Sequence, residues 1–202
     1  MARTLDRLFT IEDWLAFEGE PHLRYELVDG RLVAMNPPKV WHGTIANELG
    51  RVCGDALRDR FPCRALQGPG LEIRRKPKAK GYIPDLVVTC EPIGENWATV
   101  HEPRLVVEVL SPATERYDQT MKFEDYKGLP SVEEIWFVMS DQKVVLQAVR
   151  GPDGWGKLDA YIGKAGFASP VLGATVALDD IYRFTPMGQQ PAEPTEGDLD
   201  PS

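Results

Sequence analysis

The sequence predicts an α/β (α+β) domain in which helices flank a mixed central β-sheet that carries additional β-hairpins. Two apolar runs, 83–88 and 105–110, have the length and the β-branched content of buried strands. A helix-forming stretch separates the second run from a third, 134–139, which predicts a strand–helix–strand crossover. The dipeptide Asp29-Gly30 is a strong two-residue hairpin signal, so the expected sheet is mixed and not all parallel.

The N-terminal part is expected to run from a helix through a hairpin to a second helix. A capping box starting at Thr10 predicts a short helix that ends near Glu18. Strands at 23–28 and 31–35 flank the Asp-Gly turn. From about 41 to 60, apolar residues recur at i, i+4, i+7 and i+11, which predicts an amphipathic helix lying across the sheet; its apolar face carries Ile45, Leu49, Val52, Ala56 and Leu57.

The remaining elements follow from strand runs and turn signals. The helix that precedes the third apolar run is expected at about 115–127, with Thr114 as its N-cap. The other expected elements are strands near 71–74, 84–89 and 104–110, a hairpin formed by 143–149 and 155–161, a strand near 174–177 and a helical turn at 179–182.

Length and composition predict one domain over residues 1–185. The chain has 202 residues, 43% of them hydrophobic, which suffices for a substantial core. Residues 186–202 form an acidic, proline-containing tail that we expect to be disordered. No signal-peptide-like apolar segment and no run of membrane-spanning length is present, so we expect a cytoplasmic protein without membrane association. Three cysteines without CxxC spacing are expected to be packed thiols, with no disulfide.

The charge distribution gives two opposing indications about nucleic acid. A net charge of −8 opposes bulk attraction to phosphate. The segment 64–80, in contrast, holds six basic residues and one acidic residue just before Asp85, which makes Arg74, Arg75 and Lys76 candidate substrate-binding residues. The alternative is an ordinary solvated hairpin loop, because runs of charge are usually exposed.

Asp85 and Glu108 are carboxylates set within the apolar strand runs. Burying a lone carboxylate costs several kcal/mol unless it is paired, protonated or bound to a metal. If the two strands pair antiparallel with a symmetrical loop, residues whose numbers sum to 193 face each other, which places Asp85 opposite Glu108 with Cβ atoms about 5 Å apart. A slip of one residue would put them on opposite faces. A divalent cation would relieve their repulsion, and oxygen ligands favour Mg²⁺ or Mn²⁺ over zinc.

Lys122 is expected to lie level with Glu108. Counted from the turn after the strand, Glu108 is three residues down the strand and Lys122 is seven residues into the helix, each roughly 10 Å. A helix that packs back over its strand would therefore bring the two together. The alternative is a solvated ion pair between Lys122 and Asp118 one turn earlier.

The order of these residues resembles the PD-(D/E)XK nuclease superfamily and, within it, the Uma-type family of putative restriction endonucleases. The resemblance covers about residues 8–184. It is carried by the order and spacing of these segments: Tyr25-Glu26-Leu27-Val28-Asp29-Gly30, Met35-Asn36-Pro37-Pro38, His42-Gly43, Pro84-Asp85, Val107-Glu108-Val109-Leu110-Ser111-Pro112, Asp118 and Lys122 with Tyr126, and Glu134-Ile135-Trp136-Phe137-Val138.

The resemblance implies a restriction endonuclease-like core and metal-dependent hydrolysis of a nucleic-acid phosphodiester, with DNA as the expected substrate. Asp85, Glu108 and the carbonyl of Val109 would hold Mg²⁺ or Mn²⁺. The superfamily lysine belongs two residues after the glutamate, where this chain has Leu110, so Lys122 takes over that role by inference and would orient water and offset phosphate charge. By analogy with nucleases that cut both strands, a homodimer is expected.

Two further residues have open assignments. Glu26 is a candidate catalytic or additional metal carboxylate, or else a cross-strand ion-pair partner. His42 is a candidate contact to substrate phosphate, or else a helix cap. Tyr82, Tyr117 and Tyr126 could contact a substrate, but aromatic residues at this spacing are expected to fill the core and are left out of the predicted site.

Two other functions remain open. One is a non-catalytic nucleic-acid-binding or regulatory module that retains the fold, which Leu110 and the acidic balance both allow. The other is a glycoside hydrolase that uses the two strand carboxylates as its acid and nucleophile. That function gives Lys122 no role, and the sequence lacks an aromatic platform for a sugar.

Overall fold

Three β-sheets and four helices make up the part of the chain that the computed structural model describes. The described residues are 7–35, 37–92, 94, 97–111 and 118–188, without the side chains of 118 and 119. The helices are α1 (Ile11–Leu15), α2 (Val40–Leu57), α3 (Phe123–Lys127) and α4 (Leu178–Ile181), and a π-helical turn, Asp118–Lys122, leads directly into α3. The strands are β1 (Arg24–Val28), β2 (Arg31–Met35), β3 (Arg64–Gln67), β4 (Gly70–Arg74), β5 (Lys80–Tyr82), β6 (Leu86–Thr89), β7 (Thr99–Val100), β8 (Pro103–Leu110), β9 (Glu134–Met139), β10 (Val144–Gly151), β11 (Gly154–Trp155), β12 (Asp159–Ile162), β13 (Gly166–Ser169) and β14 (Ala174–Ala177).

The central sheet is mixed, as predicted. Its strand order is β11-β10-β9-β8-β6-β3, and β12 pairs with β10. β8 and β9 are parallel, joined by the passage that contains α3, whereas β6 pairs with both β8 and β3 in antiparallel fashion. The predicted crossover therefore joins the two central strands. β13 and β14 form a separate two-stranded sheet.

The register between β6 and β8 follows the predicted sum of 193. Leu86 faces Val107 and Val88 faces Leu105, and the register shifts only beyond Val88. Continuing this pairing by one residue brings Asp85 opposite Glu108. Both strands are continuous apolar runs buried on both faces, so an alternation of apolar and polar residues does not set this register.

A second sheet, in the order β2-β1-β5-β4-β7, carries the first predicted hairpin. β1 and β2 meet at Asp29 and Gly30, both with positive φ of 48° and 80°. That backbone conformation suits a tight hairpin turn, for which an Asp-Gly pair is favoured. β1 also pairs with β5, which places Glu26 next to the chain that leads into Asp85.

The central sheet is covered on both faces. One face, with Leu86, Leu105 and Val107, packs against the stripe of α2 that contains Ile45 and Leu49. The opposite face packs against the second sheet and α3 through Val87, Val106, Leu110, Tyr82 and Tyr126. Glu108 shares the strand parity of Val106 and Leu110 and therefore faces this second layer.

Several local predictions were wrong. α1 ends at Leu15 and not near Glu18. The strands β3, β5, β7 and β13 were not predicted at all. A disulfide joins Cys63 and Cys90, at the ends of the paired strands β3 and β6, whereas Cys53 is the expected buried thiol. Sequence spacing did not reveal the disulfide because the pairing of β3 with β6 brings the two cysteines together.

The C-terminal domain boundary stays a prediction, and the membrane prediction is tested only on the described helices. Residues 186–188 form a turn that follows Thr185, and the rest of the predicted tail, 189–202, lies outside the described residues, as does the predicted cap Thr114. Among the helices described, none combines the length and the apolar character that crossing a membrane requires.

Candidate functional site

Four charged side chains predicted from the sequence are brought together where β6 begins and β8 ends. Glu26 comes from β1, Asp85 directly precedes β6, Glu108 is on β8, and Lys122 ends the π-helical turn. The sheet order positions the first three, and the helical segment after β8 folds back to supply the fourth.

Lys122 links two of the acids. Its Nζ atom donates to Glu26 Oε1 at 2.9 Å and to Glu108 Oε1 at 3.0 Å. Glu26 Oε1 also accepts the backbone N–H of Ile83 at 3.0 Å, which fixes this carboxylate beside the chain that leads into Asp85. The lysine side chain is only 2% exposed, so the alternative of a solvated surface lysine is wrong.

Tyr126 lies in the core, as predicted, but it also belongs to this cluster, from which the sequence analysis had left it out. Its hydroxyl donates to Glu108 Oε1 at 2.5 Å. It lies four residues after Lys122 and therefore on the same helical face, a spacing that could have indicated a shared contact.

A second buried network anchors α3 behind this cluster. Asp125 accepts from Lys80 Nζ at 2.8 Å and from the Tyr82 hydroxyl at 2.6 Å. The Tyr82 ring packs edge-on against Tyr126, with ring centroids 5.8 Å apart, and lies 5.1 Å from Lys122 Nζ. These contacts hold the helical segment against β5 and so fix the position of Lys122.

Asp85 occupies the solvent-facing side of the cluster. Its Oδ2 atom accepts the backbone N–H of Val109 at 2.7 Å and lies 3.2 Å from His42 Nε2. The same His42 nitrogen is 3.0 Å from the carbonyl oxygen of Val109. Both neighbours of Nε2 are acceptors, so this nitrogen carries the hydrogen. His42 is inside α2, whose N-cap is Lys39, so its predicted role as the helix cap was wrong.

Burial raises the pKa of both strand carboxylates, and repulsion from neighbouring acids adds to the shift of Glu108. Desolvation raises the pKa of Glu108 to about 8; Lys122 opposes this shift, and the charges of Asp85 and Glu26 add to it. Desolvation likewise raises the pKa of Asp85, opposed by His42 and by the N–H of Val109. Because the charge of Asp85 helps to raise the pKa of Glu108, the two carboxylates are close enough to repel each other.

The donor chemistry of the cluster fits a hard divalent cation. Three carboxylates, Glu26, Asp85 and Glu108, are compensated by the one ammonium group of Lys122, and the Val109 carbonyl adds a neutral oxygen. Oxygen-only sets of this kind suit Mg²⁺ or Mn²⁺. Within the described ranges, no three His, Cys, Asp or Glu side chains are arranged as a ready-made ion site. The carbonyl of Val109 is therefore needed to complete the predicted set.

A cleft of about 290 Å³ opens beside Asp85. Among the residues that line it are Arg24, His42, Asn47, Gln67, Gly68 and Asp85. Glu26, Glu108 and Lys122 are buried behind this surface, so Asp85 is the member of the predicted acid–lysine set that reaches the cleft.

The basic segment predicted to contact substrate is largely engaged in ion pairs. Arg74 pairs with Asp29 at 2.5 Å, and Arg75 pairs with Glu12 and Glu72. Lys76 and the neighbouring Lys78 line a different depression, of about 570 Å³, together with Phe9 and Pro77. These contacts favour the alternative of an ordinary charged hairpin and place none of Arg74, Arg75 and Lys76 in the lining of the cleft beside Asp85.

Comparisons with known proteins agree with the geometry. The Uma2 family, described as "putative restriction endonuclease", matches residues 11–164. An uncharacterized protein from Synechocystis sp. is 29% identical over 173 residues, which cover 85% of this chain and 90% of the relative. The crystal structure of a putative nuclease of DUF820 from Anabaena variabilis has a TM-score of 0.70 at 17% identity, covering 87% of this chain and 98% of that one.

At that level of identity the structural likeness establishes the fold, and the family match covers most of the chain. The family supports a nuclease-like function with a nucleic-acid substrate and, in general, a divalent metal. The chain belongs to the Uma2 family of putative restriction endonucleases and has the restriction endonuclease-like fold.

Proposed function

We propose that this protein is a metal-dependent endonuclease that hydrolyses phosphodiester bonds in DNA. The observation that carries the proposal is the convergence of Asp85, Glu108 and Lys122 from three separate elements at one end of the central sheet, beside an open cleft. Membership of the Uma2 family supports the same reaction class.

Asp85, Glu108 and the carbonyl of Val109 would hold Mg²⁺ or Mn²⁺. When bound, the cation would polarise the phosphate and make a nearby water molecule more acidic. His42 now donates to two of these three oxygen groups, and its Nε2–H would have to leave them for a cation to bind.

The remaining residues of the cluster set the charge and orientation of Glu108. Lys122 neutralises part of the negative charge on Glu26 and Glu108, and Tyr126 fixes the Glu108 carboxylate through its hydroxyl hydrogen bond. Both groups are buried, which supports an electrostatic role for Lys122. The role predicted from the sequence, orienting the attacking water, would require the side chain to move toward the cleft.

The test is cleavage of duplex and single-stranded DNA with Mg²⁺ or Mn²⁺. Asp85→Asn and Glu108→Gln keep the side-chain shape and remove the charge, so each should abolish cleavage. Glu124→Gln removes an exposed carboxylate of α3 and should cleave like the unaltered protein. Cleavage that persists in both site variants would reject the assignment.

A non-catalytic binding or regulatory module is the second candidate. Leu110 is buried in the core at the position where the superfamily lysine would stand, and Lys122 is enclosed by carboxylates. Calorimetric titration with Mn²⁺ separates the two functions, because a module that has lost the chemistry should show neither binding heat nor thermal stabilisation. A glycoside hydrolase is less well supported, since no Phe, Tyr or Trp lies among the described residues that line the cleft.

A further inference from the structure

Arg24 is an exposed arginine at the edge of the cleft that holds Asp85 and His42. It is the first residue of β1 and pairs across the hairpin with Met35. Among the described residues no hydrogen bond or ion pair engages its guanidinium, in contrast to Arg74 and Arg75.

The neighbouring turn is shaped to let this side chain approach. A Cβ atom on Gly68 would lie 2.8 Å from a terminal nitrogen of Arg24, so the guanidinium rests against backbone that lacks a side chain. Gly68 also has a positive φ of 57°, and its N–H donates to the backbone carbonyl of Asp85 at 3.1 Å. The turn therefore places the guanidinium close to the residue on which the proposed chemistry depends.

The wall of the cleft is fixed by a contact between two other elements. The side-chain amide of Gln67, at the end of β3, donates to the carbonyl of Ala46 in α2 at 2.7 Å. Arg24 thus lines the cleft together with Gln67 of β3 and with Asn47 and His42 of α2.

The charges around Asp85 explain why a cation is useful there. Three carboxylates lie in or behind the cleft floor, and the whole chain carries a net charge of −8, so an approaching phosphate would be repelled. An arginine fork matches two oxygens of one phosphate group.

We infer that Arg24 binds a backbone phosphate of a polynucleotide in the cleft next to Asp85, so that the cleft is the phosphate subsite of the substrate. This inference rests on the proposed nuclease function. It assigns to β1 the role that the sequence analysis gave to Arg74, Arg75 and Lys76.

The test is equilibrium binding of fluorescently labelled duplex and single-stranded DNA to the full chain, measured by anisotropy across a salt series. Ca²⁺ replaces Mg²⁺, and a gel verifies that the oligonucleotide stays intact. Arg24→Gln should weaken binding about tenfold or more and reduce the slope of log affinity against log salt by about one. Arg24→Lys should lose less affinity, because it keeps the charge without the fork.

Arg31→Gln is the matched control. Arg31 is exposed on the same hairpin but pairs with Val28 at the turn end, away from the cleft. The Arg31→Gln variant removes the same charge as Arg24→Gln and should change the affinity for DNA by less than about twofold. Because Arg24 supplies no oxygen ligand, Arg24→Gln should also bind Mn²⁺ at least as tightly as the unaltered protein.

Three outcomes overturn the inference. The first is an equal DNA affinity for Arg24→Gln and the unaltered protein. The second is a loss of affinity in Arg31→Gln as large as that in Arg24→Gln, because binding would then depend only on the overall charge of the protein. If the unaltered protein binds neither form of DNA, the proposed function fails together with the inference. If the unaltered protein binds DNA and Arg24→Gln binds it equally well, only the inference about Arg24 fails. A thermal melt of each variant checks that the fold is intact.

Discussion

Nζ of Lys122 lies 3.0 Å from Oε1 of Glu108, in an environment almost closed to solvent. The ammonium also contacts Glu26, so one cation stands between two buried acids. A buried charge that loses its partner is far more costly than an exposed one. This pair therefore connects the stability of the fold with the properties of the candidate site.

Replacing Lys122 by Met should destabilise the protein strongly. The change leaves the buried Glu26 carboxylate without its cation and Glu108 without a hydrogen-bond donor, at a cost of about 3–5 kcal/mol, or a melting temperature roughly 10 °C lower. Lys127→Met, in the same helical segment, removes only a partly exposed pair with Glu124 and should cost less than about 1 kcal/mol. Thermal unfolding of both variants at neutral pH makes the comparison, and similar losses would contradict it.

The raised pKa of Glu108 predicts a pH-dependent stability. Its pKa rises from 4.5 to about 8 in the folded protein, so the folded state retains a proton that the unfolded state releases over that window. The contribution of Glu108 to the free energy of unfolding is therefore fully present below pH 4.5 and is lost as the pH rises through about 8. Urea unfolding in EDTA should show this loss between pH 5 and pH 8.

Glu108→Gln should remove most of that pH dependence. Glutamine cannot ionise but can still accept hydrogen bonds from Lys122 and Tyr126. The variant should therefore gain stability relative to the unaltered protein as the pH rises from 5 to 8. Glu124→Gln, at an exposed site, should follow the unaltered protein; equal curves for all three proteins would show that Glu108 does not titrate in this window.

The central strands and the main acidic pair were predictable because their signals are local. A symmetrical loop predicted the register of β6 against β8, and residue counting along strand and helix placed Lys122 level with Glu108. Both arguments depend on the regular rise of strands and helices.

The failures involve partners that are distant in the sequence. Arg74 pairs with Asp29 and Arg75 with Glu12, which a local count of charges cannot reveal. Lys80, from the same basic segment, is buried against Asp125. Arg24 carried no local signal, because its position beside Asp85 depends on β1 and on the turn at Gly68.

His42 gives a prediction about metal affinity. Its Nε2–H now bonds Asp85 and the Val109 carbonyl, the oxygens proposed to hold the cation. Each such hydrogen bond contributes about 0.5–1.5 kcal/mol, so His42→Ala should tighten Mn²⁺ binding by up to about tenfold. Calorimetry with His101→Ala as the control measures this. Weaker binding in His42→Ala would mean that His42 is a ligand of the cation and not its competitor.

The Cys63–Cys90 disulfide should stabilise the pairing of β3 with β6, and with it the wall of the cleft formed by Gln67. For cysteines 27 residues apart, the loss of loop entropy in the unfolded chain predicts a contribution of about 2–4 kcal/mol. A reducing agent should therefore lower the urea midpoint of the unaltered protein and of Cys53→Ala, which retains the bond. The double variant Cys63→Ser/Cys90→Ser should begin at the lower midpoint and not respond to the reductant. A midpoint that reductant leaves unchanged in the unaltered protein would show that the bond contributes nothing to stability.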